Sequence, residues 1–417
     1  MITLEEAQKR VLAPLAVLPG EEVPLEECLG RVLAEPLVAV RSQPPKDNSA
    51  MDGYALSYGD VENLPAAGKL FPVIETIPAG GWSDRSLQRG EAVRIMTGAP
   101  LPPGEDLLVV IRERTDESDP LQVRVFPSKT EPGENIRRCG EDVEEGHVCL
   151  PSGRPLQPAH LGLAASQGFT TLRCVRRPVV GILSTGDEVQ LPGSDLAPGH
   201  IYCGNSYALG GLVREAGGIP RFLGIARDNV ESLTEHLSKL AEVDVLLTIG
   251  GVSLGDYDLV KDVADQLGGD QSFWKVAMRP GKPNAYGRIG DTPWWGLPGN
   301  PVSSFISFLQ YVRPALRKLV GCEQLFLPTI EGVLEHELRS RPGFLFLYRG
   351  VVRWDESERH WSVRTTGPQG SGIMSSLSAA NCLISVPESE TELVAGTRLK
   401  IQLLPMLGPG QGEVGLR

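Results

Sequence analysis

The stretch Val243–Asp258, with the sequence VDVLLTIGGVSLGDYD, is typical of a buried strand that ends in a ligand-binding turn. Its Val- and Leu-rich first half predicts a parallel strand, because such strands are covered on both faces. Gly250 and Gly251 let the backbone turn tightly and approach a ligand. A glycine-rich turn between a strand and a helix offers N–H groups to an anion. Since Asp256 and Asp258 suit a divalent cation, we expect a phosphate group and a metal ion side by side here.

The composition indicates a soluble protein of several domains. A chain of 417 residues is too long to fold around a single hydrophobic core, so we expect about two to four domains. The net charge of −12 argues against nucleic-acid or membrane partners. The seven cysteines are scattered and lack a C-x-x-C pair, which is typical of reduced thiols in the cytoplasm. The acidic N-terminus does not fit a signal peptide, and no apolar run of about 18 residues predicts a membrane span.

Strands alternate with helices between residues 178 and 327, which predicts a doubly wound, mostly parallel sheet. The predicted helices of this region cover residues 205–216, 230–240, 259–267 and 301–320. Ligands bind at the carboxyl ends of the strands in such sheets. The turns STGDE and GGVSLGDYD both follow predicted strands, so we expect the ligand there.

The rest of the chain is mainly β-like. Short apolar runs between Gly and Pro turns predict a small barrel or sandwich over residues 71–148, and a second one after residue 327. An N-terminal helix is predicted over residues 3–15, where Thr3 can cap it and Glu6 stands in the capping-box position.

Carboxylates follow three neighbouring strands of the predicted parallel sheet. Asp187 and Glu188 belong to the turn STGDE, Asp228 follows the next strand, and Asp258 ends the stretch quoted first. Alone, each turn is explained as a polar loop. Together they repel each other unless a cation offsets their charge, and Mg²⁺ held by one or two carboxylates and a substrate phosphate fits. This favours a metal over a polar loop for Asp228 and Asp258, whereas for Asp187 the two explanations are balanced.

Cations cluster in the segment 273–283, FWKVAMRPGKP, which contains Lys275, Arg279 and Lys282. A solvated run of charges is the usual explanation for such a cluster. The Pro-Gly pair and the apolar neighbours instead favour a shaped loop that binds an oxyanion.

Other motifs carry less independent signal. The segment 296–303, GLPGNPVS, is explained as a helix start with an Asn cap and a Pro in the first turn, and its N-terminus could also bind an anion. Arg349, Ser371, Asp52 and Thr97 are explained as ordinary loop residues on the sequence alone. The six histidines lack metal-binding spacing.

Eight segments, in this order, resemble the molybdopterin molybdenumtransferase family (the MoeA family, similar to the E domain of gephyrin). They are DNSAMDGYA, RIMTGAP, NIRRCGEDV, STGDE, TIGGVSLGDYD, RPGKP, GLPGNPVS and TTGPQGSG. Each is weak alone, but eight in a fixed order are specific, and the resemblance covers almost the whole chain.

The resemblance implies a multidomain α/β plus β fold. The expected parts are an N-terminal helix (1–19) that packs on the linker or α/β domain, an elongated linker domain (20–45 and 147–177), an inserted β-rich domain (46–146), an α/β molybdopterin-binding domain (178–327) and a small C-terminal β-barrel domain (328–417). It also implies a homodimer with active sites near the subunit interface, and transient contact with the molybdopterin adenylyltransferase.

The implied reaction converts molybdate and adenylylated molybdopterin into molybdenum cofactor and AMP with Mg²⁺, so we expect a transferase. Two alternatives remain open. One is an enzyme that cleaves a phosphoanhydride of a pterin or nucleotide without inserting a metal. The other is a scaffold similar to gephyrin.

The resemblance also implies the site residues. The expected catalytic positions are Asp52, Thr97, Glu188, Asp228, Asp258, Lys275, Arg279 and Lys282, and the expected Mg²⁺ ligands are Glu188, Asp228 and Asp258. The expected substrate-binding positions are Gly250, Gly251, Ser253, Gly255, Pro298, Pro301, Ser303, Arg349 and Ser371. Arg279 stands where the family commonly has Lys. Since Arg keeps the charge and adds a fork of donors, we expect molybdate binding to survive with altered geometry.

Overall fold

A computed structural model describes residues 1–251, 259–266 and 269–404 of the chain. The chain divides into two compact units. The larger unit comprises Met1–Ala34, Ser152–Leu161 and Thr171–Arg417, and the smaller unit comprises Glu35–Pro151 and Gly162–Thr170.

A six-stranded sheet forms the centre of the larger unit. Its strands are β1 (Val179–Thr185), β2 (Ile219–Ala226), β3 (Val245–Ile249), β4 (Asp270–Lys275), β5 (Pro283–Ile289) and β6 (Thr292–Leu297). The order across the sheet is β2-β1-β3-β6-β5-β4. The strands β2, β1, β3 and β6 pair in parallel, whereas β5 runs antiparallel to β6 and β4. A mostly parallel sheet is therefore present, with one reversed strand.

The helices predicted above are present with similar bounds, alongside further short ones. They are α1 (Leu4–Leu12), α2 (Tyr58–Val61), α3 (Pro158–Ser166), α4 (Gly204–Glu215), α5 (Val230–Leu237), α6 (Leu259–Gln266), α7 (Pro301–Ser307), α8 (Arg313–Leu319) and α9 (Met374–Ser378). A π-helical turn at Phe308–Val312 joins α7 to α8, so the predicted helix over 301–320 widens in its middle. Within the described ranges, none of the helices combines the length and apolar character that a membrane crossing needs.

Both faces of the sheet are buried, because side chains alternate along each strand. In β3, Val245, Leu247 and Ile249 join a core that includes buried residues of α1, α4, α7 and α8. Leu246, between them, joins a second core with residues of α5 and α6. A strand that is covered on both faces needs apolar side chains at nearly every position. The sequence VDVLLTI therefore predicts such a strand.

The helix α1 begins at its predicted cap. The Thr3 Oγ1 accepts a hydrogen bond from the Glu6 backbone N–H at 3.2 Å. Leu4, Ala7 and Val11 are buried in the core that covers one face of the sheet. The helix therefore packs on the α/β part of the larger unit.

The last part of the larger unit is a closed barrel. Its five strands are Thr329–Leu334, Leu345–Asp355, His360–Thr365, Cys382–Val386 and Arg398–Leu403. The ring closes because Leu345–Asp355 pairs on one side with His360–Thr365 and on the other with Cys382–Val386. A barrel, rather than a sandwich, therefore follows residue 327. A short strand, Met278–Arg279, pairs in parallel with the start of Leu345–Asp355 and ties the cation-rich loop to the barrel.

The smaller unit contains a curled six-stranded sheet. Its strands, in order across the sheet, are Leu107–Ile111, Gly53–Ser57, Ala92–Ile95, Lys69–Ile77, Gln122–Val125 and Thr115–Asp119. The long strand Lys69–Ile77 pairs with Gln122–Val125 along its first half and with Ala92–Ile95 along its second half. This change of partner along one strand produces the curl.

Candidate active site

The first cavity of the larger unit lies at the carboxyl ends of β1 and β3 and encloses about 720 Å³. We call it the carboxylate cavity, because Glu188 and Asp228 line it. Its walls are the end of β1, the glycines after β3, the start of α4 and the turn after β6. Because β1 lies between β2 and β3, their carboxyl ends meet where ligands bind in doubly wound sheets.

The backbone conformation after β3 requires glycine at two positions. Gly250 has a φ of +91° and Gly251 a φ of +67°. A Cβ on Gly250 would lie 2.9 Å from the Thr185 Oγ1 and 3.0 Å from the Thr185 carbonyl oxygen. The Gly250 N–H donates to the Leu297 carbonyl at 3.0 Å. The glycines therefore let the ends of β1, β3 and β6 approach each other at the cavity wall.

The carboxylates of this cavity stand close together. The Asp187 Oδ1 accepts a hydrogen bond from the Asp228 backbone N–H at 3.3 Å. Partial burial of Asp228, followed by the charges of Asp187 and Glu188, raises the pKa of the Asp228 carboxyl. The described residues contain no set of three side chains placed to hold a metal ion. Asp258, the third predicted ligand, lies outside the described residues, as do Ser253 and Gly255.

Several lining residues of this cavity were missed by sequence reasoning. Ile201 and Tyr202 line it and are 56% and 46% exposed. The Tyr202 hydroxyl donates to the Ser194 carbonyl at 2.9 Å, so the ring is anchored through its polar end. The Asn205 Nδ2 donates to the Gly299 carbonyl at 2.7 Å and ties the start of α4 to the turn after β6. The only signal was the segment IYCGN, an aromatic and aliphatic pair just before a glycine helix start.

The second cavity of the larger unit encloses about 390 Å³, and we call it the cation cavity. It brings together three segments that are distant in the sequence: the cation-rich loop, the turn before α7, and the barrel strand with the loop that follows the barrel hairpin. Six predicted site residues line it: Arg279, Lys282, Pro298, Ser303, Arg349 and Ser371.

Two of the predicted cations share an aromatic neighbour. The Arg279 guanidinium lies 4.7 Å from the centre of the Phe344 ring, and the Lys282 Nζ lies 5.6 Å from it. The Arg279 Nε is buried without a hydrogen-bond partner among the described residues. Gly281, between the cations, has a φ of +101°, and a Cβ there would lie 2.7 Å from the Ser307 Oγ. The loop is therefore shaped and packed, as the Pro-Gly pair indicates.

Arg349 is 1% exposed and holds a loop. Its Nε donates to the Ser376 Oγ at 2.9 Å, and its Nη1 donates to the Gln369 carbonyl at 3.0 Å. Its Nη2 donates to the carbonyls of Pro368 and Gly370 at 3.2 and 3.0 Å. Since a guanidinium has five N–H donors, this bonding leaves one on Nη1 for other partners.

One turn separates the two cavities. Gly299 and Pro301 line the carboxylate cavity, whereas Pro298, Asn300 and Ser303 line the cation cavity. Alternate residues of the turn thus face opposite cavities, and a ligand that spans the turn would contact both.

Three other predicted positions lie elsewhere. Lys275 ends β4, where it pairs with Pro283, and it is absent from the described lining of both cavities. Asp52 and Thr97 belong to the smaller unit and bind each other. The Asp52 Oδ1 accepts hydrogen bonds from the Thr97 N–H at 2.8 Å and from the Thr97 Oγ1 at 2.7 Å. These bonds, the backbone one first, lower the pKa of the Asp52 carboxyl.

Three family models match the chain. They are the MoeA N-terminal region (domains I and II) over residues 2–168, a probable molybdopterin binding domain over 181–318, and the MoeA C-terminal region (domain IV) over 331–404. Molybdopterin molybdenumtransferase 2 of Mycobacterium tuberculosis is 38% identical over 408 residues, which is 96% of this chain and 99% of that protein. The chain belongs to the molybdopterin molybdenumtransferase family.

A second named relative and a solved structure also match this chain over nearly its full length. The Haemophilus influenzae protein of that name is 35% identical, over 96% of this chain and 98% of its own length. The crystal structure of a molybdopterin biosynthesis MoeA protein from Pyrococcus horikoshii superposes with a TM-score of 0.83 at 29% identity, and covers 97% of this chain and all of that one. The resemblance drawn from the eight segments is therefore confirmed.

Proposed function

We propose that this chain is an enzyme of molybdenum cofactor biosynthesis. It takes molybdenum from molybdate, inserts it into adenylylated molybdopterin and releases AMP in a Mg²⁺-dependent reaction. The observation that carries this function is the pair of adjoining cavities, one lined by carboxylates and the other by cations, on either side of one turn. Relatives named for this transferase activity match over nearly their full length.

The carboxylate cavity has the size and chemistry for adenylylated molybdopterin. Pockets of several hundred Å³ bury most of a ligand of that class, and this one encloses about 720 Å³. The exposed faces of Ile201 and Tyr202 suit a flat heterocycle. The glycine turn after β3 lets the backbone come close to a phosphate group.

Glu188 and Asp228 would hold Mg²⁺. They fit it because burial and, after it, neighbouring carboxylates raise the pKa of Asp228, and a cation placed between the carboxylates would offset their repulsion. Mg²⁺ prefers one or two carboxylates together with substrate phosphate oxygens, so two protein ligands suffice. When bound, the ion neutralises charge on the phosphoanhydride. Asp258 as a further ligand remains a prediction.

The cation cavity would bind molybdate. Lys282 and Arg279 supply positive charge, and Ser303 and Ser371 supply hydroxyl donors to a tetrahedral oxyanion. Arg349 acts mainly as a positioning residue, since most of its donors hold the loop that carries Ser371. The residues of the turn between the cavities set the distance between molybdate and the pterin.

The remaining expectations from the family are part of the same proposal. They are a cytoplasmic homodimer, contact with the molybdopterin adenylyltransferase, roles for Asp52, Thr97, Lys275, Ser253 and Gly255, and the domain boundaries given above.

The experiment is a turnover assay with purified protein, adenylylated molybdopterin and Mg²⁺, in which AMP and molybdenum cofactor are both quantified. We expect AMP release that depends on molybdate and equals the cofactor formed. AMP release at the same rate without molybdate would favour the phosphoanhydride-cleaving alternative. A protein that binds neither substrate would favour the scaffold alternative.

A further inference from the structure

A third cavity of the larger unit, of about 290 Å³, is lined by four arginines: Arg31, Arg177, Arg214 and Arg317. We call it the arginine cavity. It shares no described lining residue with the carboxylate or cation cavity. Four guanidinium groups around so small a space are unexpected in a chain with a net charge of −12.

Arg31 and Arg177 are the central pair of this cavity. Arg31 is 8% exposed, and its Nη2 donates to the Glu21 Oε1 at 2.5 Å and to the Val175 carbonyl at 3.0 Å. Its Nε is buried without a hydrogen-bond partner in the described part of the chain. Burial and, after it, the charge of Arg31 lower the pKa of Arg177, so two like charges are held near each other.

Arg177 itself has no hydrogen bond and no ion pair among the described residues, although it is half-buried. By contrast its chain neighbour Arg176 forms a two-pronged ion pair with Asp244, at 2.7 and 2.5 Å. Among the described residues, no Arg177 nitrogen belongs to the buried polar atoms that lack a partner, so the guanidinium remains in contact with solvent at the cavity. Arg177 is therefore open to an anion that enters the cavity.

Arg214 and Arg317 have an ordinary explanation as well. Each stands in the last turn of a helix, α4 and α8, where a cation offsets the negative end of the helix dipole. That explanation does not extend to Arg31 and Arg177, which belong to no helix. The Arg214 Nη1 and the Arg317 Nε also donate to backbone carbonyls, at 3.5 and 3.2 Å. Arg31 and Arg177 are therefore better placed for a ligand.

Glu215 is the one carboxylate among the described residues that line this cavity. Its Oε2 is buried without a hydrogen-bond partner, and it makes no ion pair within 4.0 Å in the described chain. Burial raises the pKa of the Glu215 carboxyl, against the opposing charge of Arg313. The cavity therefore keeps an excess of positive charge.

We propose that the arginine cavity binds the phosphate group of a small molecule, either inorganic phosphate or a phosphomonoester. Guanidinium forks match the oxygens of a tetrahedral dianion in pairs, and such charge-assisted bonds are strong. A cavity of about 290 Å³ admits a phosphate group with a small substituent but not a polymer.

The test is calorimetric titration of the full-length protein with inorganic phosphate and, separately, with glycerol 3-phosphate. We expect Arg177→Gln to weaken phosphate binding by roughly tenfold or more, because one charge-assisted bond is lost. Arg173→Gln is the matched control, since Arg173 is exposed on the strand Thr171–Val175 and lies outside the cavity; it should leave binding unchanged. The component of phosphate binding that Arg177→Gln weakens should persist in Lys282→Gln, which alters only the cation cavity. The tighter of the two ligands identifies the source of the phosphate group.

A second variant tests whether the negative charge of Glu215 opposes phosphate binding. Glu215→Gln keeps the size of the side chain and removes the carboxylate, so phosphate should bind more tightly, on the order of threefold. Weaker binding in this variant would contradict the proposal.

Three other results would overturn the proposal. One is the absence of binding of both ligands to the unmodified protein. Another is phosphate binding that is lost in Lys282→Gln and kept in Arg177→Gln, which would place it in the cation cavity. The third is a change of oligomeric state in Arg177→Gln without any phosphate binding, which would mean that carboxylates of a second copy fill the cavity.

Discussion

The carboxylate cavity and the cation cavity adjoin across one turn, yet they are built in different ways. The first collects the ends of parallel strands of one sheet, so its residues are placed by a general property of that fold. The second joins the loop after β4, the start of α7 and a barrel strand with its following loop. Its geometry depends on how the barrel docks, through the pairing of Met278–Arg279 with the strand Leu345–Asp355.

The two cavities also differ in how their charges are bonded. Burial, and after it the like charges of Asp187 and Glu188, raise the pKa of the Asp228 carboxyl. Arg349 donates to four acceptors of the protein. We infer that some charged residues of the site are placed to bind ligands whereas others hold its shape, and substitutions should separate the two groups.

The largest effect is expected at Lys282 in the cation cavity, whose ammonium group contacts the Phe344 ring and makes no hydrogen bond or ion pair among the described residues. Lys282→Gln should lower molybdenum insertion by about a hundredfold, because it removes a charge-assisted contact to molybdate. The melting temperature should stay unchanged, and Lys400→Gln, on the exposed face of a barrel strand, should have no effect on either quantity. Insertion at the normal rate in Lys282→Gln would remove this residue from the site.

Arg349→Lys should damage the fold as well as the activity. Lysine keeps the charge but cannot reach the four acceptors that the guanidinium fork satisfies. We expect the free energy of unfolding to fall by about 2 kcal/mol, measured by chemical denaturation. The control is Arg364→Lys, an exposed position on the neighbouring barrel strand. Unchanged stability together with lost molybdate binding would make Arg349 a ligand-binding residue instead.

Gly250→Ala tests the wall of the carboxylate cavity. The positive φ and the close contact with Thr185 should reduce the free energy of unfolding by about 1.5 kcal/mol. Gly299→Ala, in the adjacent turn, is the matched variant, because the nearest atom to its added Cβ would be the Gly250 Cα at 3.8 Å. Equal stabilities of the two variants would show that the glycine turn is not constrained as described.

The smallest effect is expected at Asp52, a carboxylate of the smaller unit that accepts two hydrogen bonds from Thr97. Thr97→Val should raise the pKa of Asp52 toward the usual aspartate range, since the hydroxyl bond to it is lost. A lowered pKa means that this bond stabilises the fold at neutral pH and that the benefit is lost as the pH falls below that range. An NMR titration of Asp52 measures it, with Thr76→Val as an exposed control on another strand of the same unit. An unchanged pKa would assign the shift to the backbone bond alone.

Much of the α/β fold could be predicted from the sequence, because its signals are local. An apolar run such as VDVLLTI predicts a strand that is buried on both faces, and the glycines after it predict the turn. The same local character made Glu188 and Asp228 recognisable, since the ends of parallel strands meet at one edge. The reversed strand β5 and the π-helical turn at Phe308–Val312 depend on tertiary packing and left no sequence pattern.

The cation cavity could not be predicted from local sequence patterns. The charges of Arg279 and Lys282 were visible in the sequence, but their meeting with Ser371 and Arg349 follows from barrel docking. The loop-holding role of Arg349 depends on burial and carbonyl directions that no spacing reveals. Only the resemblance to the family pointed to Arg349 and Ser371.

In the function proposed here, molybdate and the Mg²⁺-bound phosphate occupy two different cavities on either side of the turn between Pro298 and Ser303. The most direct measurement is a crystal structure with molybdate, Mg²⁺ and AMP, in which molybdenum is located by its anomalous scattering. We expect the molybdenum peak beside Lys282 and Ser371, and the AMP phosphate beside Glu188 and Asp228. A molybdenum peak among the carboxylates, or AMP in the cation cavity, would contradict the account.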